Sequence, residues 1–176
     1  PVGVGELATI AGDIQVYGLD VTDHAQIDRL AGELSGVAMD VLINNAGIYG
    51  PRMNDADAVD YDQWRQVMET NVLSPLKVTT AFTPHVAAGN LKTIATLTSK
   101  MGSIADNTSG GAYIYRSSKA AVNAVMRSLA WDLNPQGINV ILLHPGWVKT
   151  DMGGSNALID AETSVSGLRR VIAETG

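Results

Sequence analysis

The sequence predicts an α/β fold, in which a parallel sheet is covered by helices on both faces. Three segments indicate strands, at residues 40–43, 92–98 and 138–143, and each leads into a polar or glycine-containing stretch. The first and the third contain unbroken apolar runs, which are typical of parallel strands buried on both faces. Because the chain has 176 residues and 45% apolar content, it is long enough for one core, and residues 1–176 are interpreted as a single domain.

Composition and charge exclude several classes of function. The net charge is −6 and the basic residues are scattered, so a nucleic-acid partner is not expected. The sequence has no cysteine, no charged-then-apolar leader and no apolar run near the roughly 18 residues of a membrane span, so a cytoplasmic protein without a membrane partner is predicted. The three histidines, at positions 24, 85 and 144, lack the paired spacing of a metal site, and no metal is assigned.

A short strand is also predicted at residues 14–19, which are largely β-branched and apolar. It breaks at Asp20 and Val21, and either Thr22 or Asp23 is expected to cap the helix that follows. A carboxylate at the C-terminal end of a strand lies where open α/β sheets bind ligands. Asp20 is therefore a candidate binding residue, with plain capping as its alternative role.

The strand at residues 40–43 follows a helix predicted over residues 24–34 and ends in a small, polar segment. Small residues let the backbone lie against a flat ligand, and an asparagine amide can join neighbouring strand ends by hydrogen bonds. As an isolated string the segment could be an ordinary turn. Its sequence is Asn44-Asn45-Ala46-Gly47.

A long helix is predicted over residues 60–87, with an apolar stripe that faces the core. Asn71 is the polar exception in this helix. Asparagine is slightly unfavourable inside a helix, so its presence needs a reason.

The most informative pair is Tyr115 and Lys119, in a helix predicted over residues 110–133 that is preceded by a turn-forming loop. Residues four apart share a helix face, so both side chains can reach one small molecule. A phenol has a pKa of about 10, and a nearby cation typically lowers such a pKa by about 1–3 units. Lys119 is therefore expected to lower the pKa of Tyr115 and make it a proton donor and acceptor. The alternative is a chance pair at helical spacing.

A turn that contains proline and glycine follows the strand at residues 138–143, ahead of a flap predicted at residues 151–159 and a last helix at residues 160–174. Such a turn can present main-chain groups to a carboxamide, and a hydroxyl such as that of Thr150 can meet a phosphate. The flap is rich in glycine and serine and is predicted to be mobile.

In this order and spacing, these stretches resemble the short-chain dehydrogenase/reductase family along essentially the whole chain. The segments Gly102-Ser103-Ile104, Tyr115-Arg116 and His144-Pro145-Gly146-Trp147 are most similar to its C-factor and Sniffer-type carbonyl-reductase branch. The resemblance implies a Rossmann-type, doubly wound sheet and an oxidoreductase. Such an enzyme transfers hydride between NAD or NADP and a small carbonyl or secondary alcohol. The residues that carry the resemblance are Asn44-Asn45-Ala46-Gly47, Asn71, Ser99-Lys100-Met101-Gly102, Tyr115-Arg116-Ser117-Ser118-Lys119 and Pro145-Gly146-Trp147-Val148-Lys149-Thr150.

The same resemblance implies the roles of the site residues. Tyr115 is the general acid and base, and Asn71 holds a water in the proton path. The Ser-x-x-Gly pattern selects Ser99 as the serine that donates to the substrate oxygen, but it lies sixteen residues before Tyr115, a few more than is usual in the family. Ser103, at twelve residues, is the competitor. The implied catalytic residues are Asn71, Ser99, Tyr115 and Lys119.

For the cofactor, the resemblance implies that Asp20 and Val21 contact the adenine, and that Val148 and Thr150 meet the carboxamide and a phosphate. The full set of implied cofactor-binding residues is Asp20, Val21, Asn45, Ala46, Gly47, Tyr115, Lys119, Pro145, Gly146, Val148 and Thr150. The choice between NAD and NADP cannot be read, and a homo-oligomer is left open.

The phosphate cradle of the family, a glycine-rich turn after the first strand, has no counterpart, because Gly3 and Gly5 do not follow a strand. Residues 1–11 have helix character without a capping residue, as at the end of a helix that begins upstream. The chain is therefore expected to be a fragment that lacks the first two strands and the last one. Since the missing strands belong in the centre of the sheet, the isolated chain is expected to aggregate or to be molten.

Two alternatives stand beside the oxidoreductase. One is a dinucleotide-binding signalling protein of the same fold, which uses cofactor occupancy rather than turnover. The other is a catalytically inert fragment of such an enzyme.

Overall fold

The computed structural model describes residues 11–52 and 55–175. Among them, three parallel strands form one sheet in the order β1-β2-β3, with Val41 opposite Thr93 and Thr93 opposite Asn139. The strands are β1 (Val41–Asn44), β2 (Thr93–Leu97) and β3 (Asn139–Leu143). The predicted α/β fold with a parallel sheet is confirmed.

Five α-helices accompany the sheet in the described part of the chain. They are α1 (His24–Glu33), α2 (Tyr61–Met68), α3 (Ser74–Ala87), α4 (Tyr113–Leu133) and α5 (Ala161–Glu174). Short 3₁₀ turns occupy Ala56–Ala58, Lys100–Gly102 and Asn134–Gln136. The long helix predicted over residues 60–87 is divided, because a π-helical turn at Glu69–Leu73 separates α2 from α3.

Local capping explains where these helices begin. The side chain of Asp23 accepts hydrogen bonds from the backbone N–H groups of Ala25 and Gln26, so Asp23 is the N-cap of α1, as one of the two predicted alternatives stated. Asp160 caps α5 by accepting from the N–H of Thr163. Helix α4 begins at Tyr113, three residues later than predicted, with Ala112 in the left-handed region at the N-cap position.

The core lies between the sheet and helices α3 and α4, which both contact the strands, while α1 packs on α3. Ile94 of β2 is fully buried in this core, against side chains such as Val86 of α3 and Val122 of α4. On β1, Leu42 packs against the core, whereas Ile43 is 50% exposed. Among the described residues, α3 and α4 cover the face of β1 on which Leu42 lies, and Ile43 lies on the other face.

The strand predicted at residues 14–19 is also absent from the described structure. These residues have no regular secondary structure and pair with no described strand, and Ile14, Val16 and Tyr17 are exposed. A β-strand needs a hydrogen-bonded neighbour, which sequence alone cannot supply. The helix predicted near residues 1–11 lies almost entirely outside the described residues.

In the described ranges, no group of three or more His, Cys, Asp or Glu side chains could hold a metal ion. The helices described here are also too short or too polar to cross a membrane.

Gly89 provides a test of how α3 is seated against the start of β1. The chain before β1 is held to the end of α3 by the N–H of Met39, which donates to the carbonyl of His85 at 2.9 Å. A Cβ on Gly89 would lie 2.2 Å from the carbonyl oxygen of Met39. Gly89→Ala is therefore expected to lower the free energy of unfolding by about 1–3 kcal/mol, measured by urea denaturation.

Gly32 in α1 is the matched control, because a Cβ there would meet nothing within 4 Å. Gly32→Ala is expected to raise the free energy of unfolding by about 0.5–1 kcal/mol, since alanine is the better helix former. Equal effects of the two substitutions would contradict the close contact at Gly89.

Candidate active site

The candidate site lies at the carboxyl ends of the three strands. Each strand end leads into one of the segments selected from the sequence, at residues 44–47, 99–102 and 145–150. The N-terminal turns of α4 lie beside them, and α4 contacts both β3 and the 3₁₀ turn after β2. Ligands of open parallel sheets bind at this edge.

Helix α4 brings Tyr115 and Lys119 together. Both side chains are buried, with 9% and 6% of their surface exposed. The Lys119 Nζ lies 5.7 Å from the centroid of the Tyr115 ring and donates to the carbonyl of Leu97 at 3.0 Å. The end of β2 therefore fixes the ammonium next to the phenol.

Burial raises the pKa of the Tyr115 phenol above 10.0; a hydrogen bond with Ser99 lowers it and the neighbouring Tyr49 raises it further. The expectation that Lys119 makes the pKa of Tyr115 lower than usual is wrong for this arrangement. The reason is that loss of hydration disfavours the phenolate more than its polar neighbours stabilise it. Tyr115 is thus held in its protonated form at neutral pH, as a proton donor requires.

Burial also lowers the pKa of Lys119, from 10.5 to about 8. The unfolded chain binds more protons than the folded one between these two pH values, so the contribution of Lys119 to stability rises with pH across that window. Relative to Lys119→Met, the wild-type protein is expected to gain about 3 kcal/mol of unfolding free energy between pH 8 and pH 10.5, at 1.36 kcal/mol per pKa unit.

Urea unfolding of the two proteins at several pH values across this window measures the difference. If the unfolding free energies of the wild-type protein and Lys119→Met changed in parallel with pH, the lowered pKa of Lys119 would be contradicted.

Asn71 lies in the π-helical turn and is 1% exposed. Its Nδ2 donates to the carbonyl of Ile48 and to the Oγ of Ser118, and its Oδ1 accepts from the N–H of Ile48, at 2.9, 3.0 and 2.9 Å. Ser118 in turn donates to the carbonyl of Tyr115 at 2.8 Å. The amide therefore joins the end of β1 to the helix of Tyr115, which accounts for an asparagine within a helix. Such π-helical turns are frequent at functional sites.

The two candidate serines differ in their contacts. Ser99 follows β2, accepts from the N–H of Met101 at 3.1 Å and has its side chain hydrogen-bonded to Tyr115. Ser103 accepts from the N–H of Asp106 at 3.2 Å, in the loop beyond the 3₁₀ turn. Contact with Tyr115 thus distinguishes Ser99 from its competitor.

Gly102 sets the distance between this 3₁₀ turn and α4. A Cβ on Gly102 would lie 2.8 Å from the carbonyl carbon of Lys119 and 3.0 Å from the Nδ2 of Asn123. The Oγ1 of Thr98 also donates to the Oδ1 of Asn123. The Ser-x-x-Gly pattern therefore has a packing reason, because only glycine lets the turn approach α4 this closely.

In the segment after β1, Asn44 is buried and its Nδ2 donates to the hydroxyls of Thr79 and Thr96 at 3.0 and 3.1 Å. This joins β1 to α3 and β2, as expected of an asparagine amide at a strand end. The next residues lie toward the site: Asn45 and Ala46 are exposed, and a Cβ on Gly47 would lie 3.3 Å from the Oδ1 of Asn71 and 3.6 Å from the Nζ of Lys119.

Asp20 and Val21 lie in the turn before α1, with Asp20 exposed. The Asp20 carboxylate accepts from the N–H and the hydroxyl of Thr22 at 2.9 and 2.7 Å. The hydrogen bond from the Thr22 hydroxyl is the main cause that lowers the pKa of Asp20. Since Asp23 caps α1, the contacts of Asp20 are those of a local turn.

The segment after β3 folds back on itself, with Gly146 in the left-handed region at φ 86°. A parallel bridge joins Val148 to Ile159, and the Trp147 Nε1 donates to the carbonyl of Gly153 at 2.8 Å. The Thr150 hydroxyl accepts from the N–H of Gly153 at 3.1 Å.

Pro145 is anchored to α5 through its carbonyl, which accepts from the Ser164 hydroxyl at 2.7 Å. Residues 147–159 thus form a hydrogen-bonded loop, and the predicted flap at residues 151–159 is the second part of it. The mobility of the flap stays a prediction.

Sequence analysis missed two groups of residues at the site. Ser118 links Asn71 to Tyr115. From the segment after β1, Tyr49 stacks on the Tyr115 ring and Arg52 lies over the Tyr49 ring. The aromatic and basic residues directly after Asn44-Asn45-Ala46-Gly47 were the signal that could have pointed to the second group.

The donor set at the site suits a dinucleotide. Among the described residues, the buried Lys119 ammonium has one hydrogen-bond acceptor, Leu97, so donors are left for the hydroxyls of a ribose. The small residues Ala46 and Gly47 leave room beside it for a flat ring.

These features can be compared with known proteins. The family model for the short chain dehydrogenases matches residues 3–158. The chain therefore belongs to the short-chain dehydrogenase family, and its fold is of the Rossmann type.

The chain is 52% identical over 134 residues to the C-signal of Myxococcus xanthus, an alignment that covers 76% of this chain and 80% of that protein. The carbonyl reductase Sniffer of D. melanogaster matches with a TM-score of 0.89 and 34% identity, over 98% of this chain and 75% of that one. A carbonyl reductase from chicken fatty liver with bound NADPH matches with a TM-score of 0.86 and 33% identity, over 96% of this chain and 73% of that one. The predicted branch of the family is confirmed.

Proposed function

We propose that the protein transfers hydride between NAD or NADP and a small carbonyl or secondary alcohol, with Tyr115 as the general acid and base. The observation that carries this proposal is the contact set of Tyr115, which is buried, hydrogen-bonded to Ser99 and adjacent to the Lys119 ammonium. The resemblance to NADPH-bound and Sniffer carbonyl reductases supports it.

When bound, the nicotinamide ring gives or accepts the hydride. In the direction of reduction, Ser99 donates a hydrogen bond to the substrate oxygen and stabilises the negative charge that develops there. The Tyr115 hydroxyl then gives its proton to that oxygen. The Lys119 ammonium stabilises the phenolate that remains and binds the ribose hydroxyls of the cofactor.

Asn71 is proposed to return a proton to Tyr115 through a water near the π-helical turn. Its side chain is occupied by Ile48 and Ser118, which points to its backbone as the group that holds the water. Asp20 and Val21 are proposed to contact the adenine. The groups proposed to line the nicotinamide and its phosphate are Asn45, Ala46, Gly47, Pro145, Gly146, Val148 and Thr150.

The test is oxidation of NADPH and of NADH, followed by absorbance, with a panel of aldehydes and ketones. Turnover of at least one carbonyl, abolished by Tyr115→Phe, is the expected result. A cytoplasmic location and assembly as a homo-oligomer are part of the proposal, and the cysteine-free composition is in keeping with the first.

A second candidate is a dinucleotide-binding signalling protein, which the 52% identity to a protein named C-signal favours. Calorimetric titration with the same two cofactors separates the candidates. Tight cofactor binding without turnover of any carbonyl in the panel would support the second and contradict the first.

A further inference from the structure

Residues 48–52, here called the arm, leave the end of β1 and reach the Tyr115 ring. The base of the arm is fixed, because the Asn71 side chain accepts from the N–H of Ile48 and donates to its carbonyl, both at 2.9 Å. Asn71 is itself buried, so this pair of hydrogen bonds is protected from water.

Gly50 adopts a backbone conformation in the arm where any side chain would be strained and would clash with its neighbours. Its φ is 75°, in the left-handed region, and a Cβ there would lie 2.8 Å from Cγ2 of Val67 and 3.5 Å from Cγ2 of Ile114. The arm therefore passes tightly between α2 and α4. Pro51 follows and restricts the backbone further.

The arm ends in a stack of side chains over the catalytic phenol. The rings of Tyr49 and Tyr115 are stacked, with centroids 4.4 Å apart and planes inclined by 19°. The Arg52 guanidinium lies 5.0 Å from the centroid of the Tyr49 ring. Arg52 also donates from Nη2 to the carbonyl of Met152 at 2.6 Å, in the 147–159 loop.

We infer that Tyr49 and Arg52 are positioning residues: Tyr49 holds the Tyr115 phenol in its reactive orientation and shields it from water, and Arg52 holds the 147–159 loop closed over a bound carbonyl substrate. This inference rests on the proposed function of Tyr115. The stack is continuous from the phenol to the loop, so loss of either side chain separates the two. Tyr49 covers a face of a ring whose pKa is raised by burial, which agrees with a shielding role.

The hydrogen bond from Arg52 to the 147–159 loop, here called the tether, is tested with Arg52→Met. This substitution keeps about the same side-chain length but removes the charge and the hydrogen-bond donor. Peptides that cover residues 147–159 are expected to exchange amide hydrogens about tenfold faster, since a charge-assisted hydrogen bond is lost. The KM for the carbonyl substrate is expected to rise about three- to tenfold while kcat changes less, because binding is affected before chemistry. Arg65→Met is the matched control, since Arg65 is an exposed arginine that pairs with Asp62 and has no described contact with the loop.

The stack is tested with Tyr49→Leu and Tyr49→Phe. The leucine variant is expected to lower kcat about tenfold. It is also expected to move to lower pH the limb of the reduction profile that reports Tyr115, which lies above the Lys119 limb near pH 8, because water reaches the phenol and its pKa falls toward 10. The phenylalanine variant keeps the stacked ring, so its kcat is expected to resemble that of the wild type. Its Tyr115 limb should move less than in the leucine variant, because only the electrostatic effect of the Tyr49 hydroxyl is lost.

Three outcomes are decisive. If Arg52→Met has the same amide exchange rates in residues 147–159 and the same KM for the carbonyl substrate as the wild type, the tether is overturned. If Tyr49→Leu has the same pH profile of reduction as the wild type, the shielding role is overturned. If either occurs while Tyr115→Phe is inactive, the inference fails and the proposed function stands. If Tyr115→Phe is active, the proposed function fails, and the shielding of a catalytic phenol fails with it, whereas hydrogen exchange still decides whether Arg52 holds the loop.

Discussion

Tyr115→Phe is expected to lower the rate of carbonyl reduction by about 10²- to 10⁴-fold, the usual contribution of a general acid. The substitution removes one oxygen and keeps the ring that stacks on Tyr49 at 4.4 Å. The site should therefore keep its shape, and the affinity for NADPH or NADH should change little. The measurement is the steady-state oxidation of NADPH with the best carbonyl of the panel, together with calorimetric cofactor affinity.

Tyr113→Phe is the control for this prediction, since Tyr113 is an exposed tyrosine at the start of the same helix. It should leave the rate unchanged. Retention of more than about a tenth of wild-type activity by Tyr115→Phe would exclude Tyr115 as the general acid. In the wild-type protein, reduction should decline in two steps as pH rises: first near pH 8, where the Lys119 ammonium loses its proton, and then at higher pH, where the protonated form of Tyr115 is lost through its raised pKa.

Ser99→Ala is expected to cost about 10²- to 10³-fold in kcat, the range found when one donor to a developing oxyanion is removed. Ser99 is hydrogen-bonded to Tyr115, so its hydroxyl lies where the substrate oxygen must approach the phenol. The loss of the contact between the Ser99 Oγ and the N–H of Met101 is a secondary effect on the 3₁₀ turn.

Ser103→Ala is the matched comparison, because it removes the same group from the competing position. Its hydroxyl caps the N–H of Asp106 and should be dispensable for the reaction. Rates and cofactor affinities for the two variants, measured side by side, decide between them. A larger loss for Ser103→Ala would assign the donor role to Ser103.

Several parts of the fold could be read from the sequence because their determinants are local. The unbroken apolar runs at β1 and β3 predict parallel strands, and the helices predicted at residues 24–34, 110–133 and 160–174 have boundaries within a few residues of those observed for α1, α4 and α5. The pairing of Tyr115 with Lys119 also follows from sequence, because a spacing of four places two side chains on one helix face.

Other features depend on contacts between segments that are far apart in the sequence. Residues 14–19 look like a strand by composition, yet they have no strand partner in the described structure. The direction in which the Tyr115 pKa moves is set by burial, which outweighs the nearby cation assumed from spacing. The π-helical turn at Asn71 is explained by its hydrogen bonds to Ile48 and Ser118, which lie on two other elements.

The sequence by itself determined the α/β class, the order of the elements and the family to which the chain belongs, because these follow from local periodicity and from short motifs at fixed spacing. Only the tertiary structure decided which serine contacts Tyr115, why Gly102 lies against α4, and that Tyr49 covers the phenol with Arg52 behind it. Each of these depends on the distance between atoms on different elements, and packing of the whole core sets that distance.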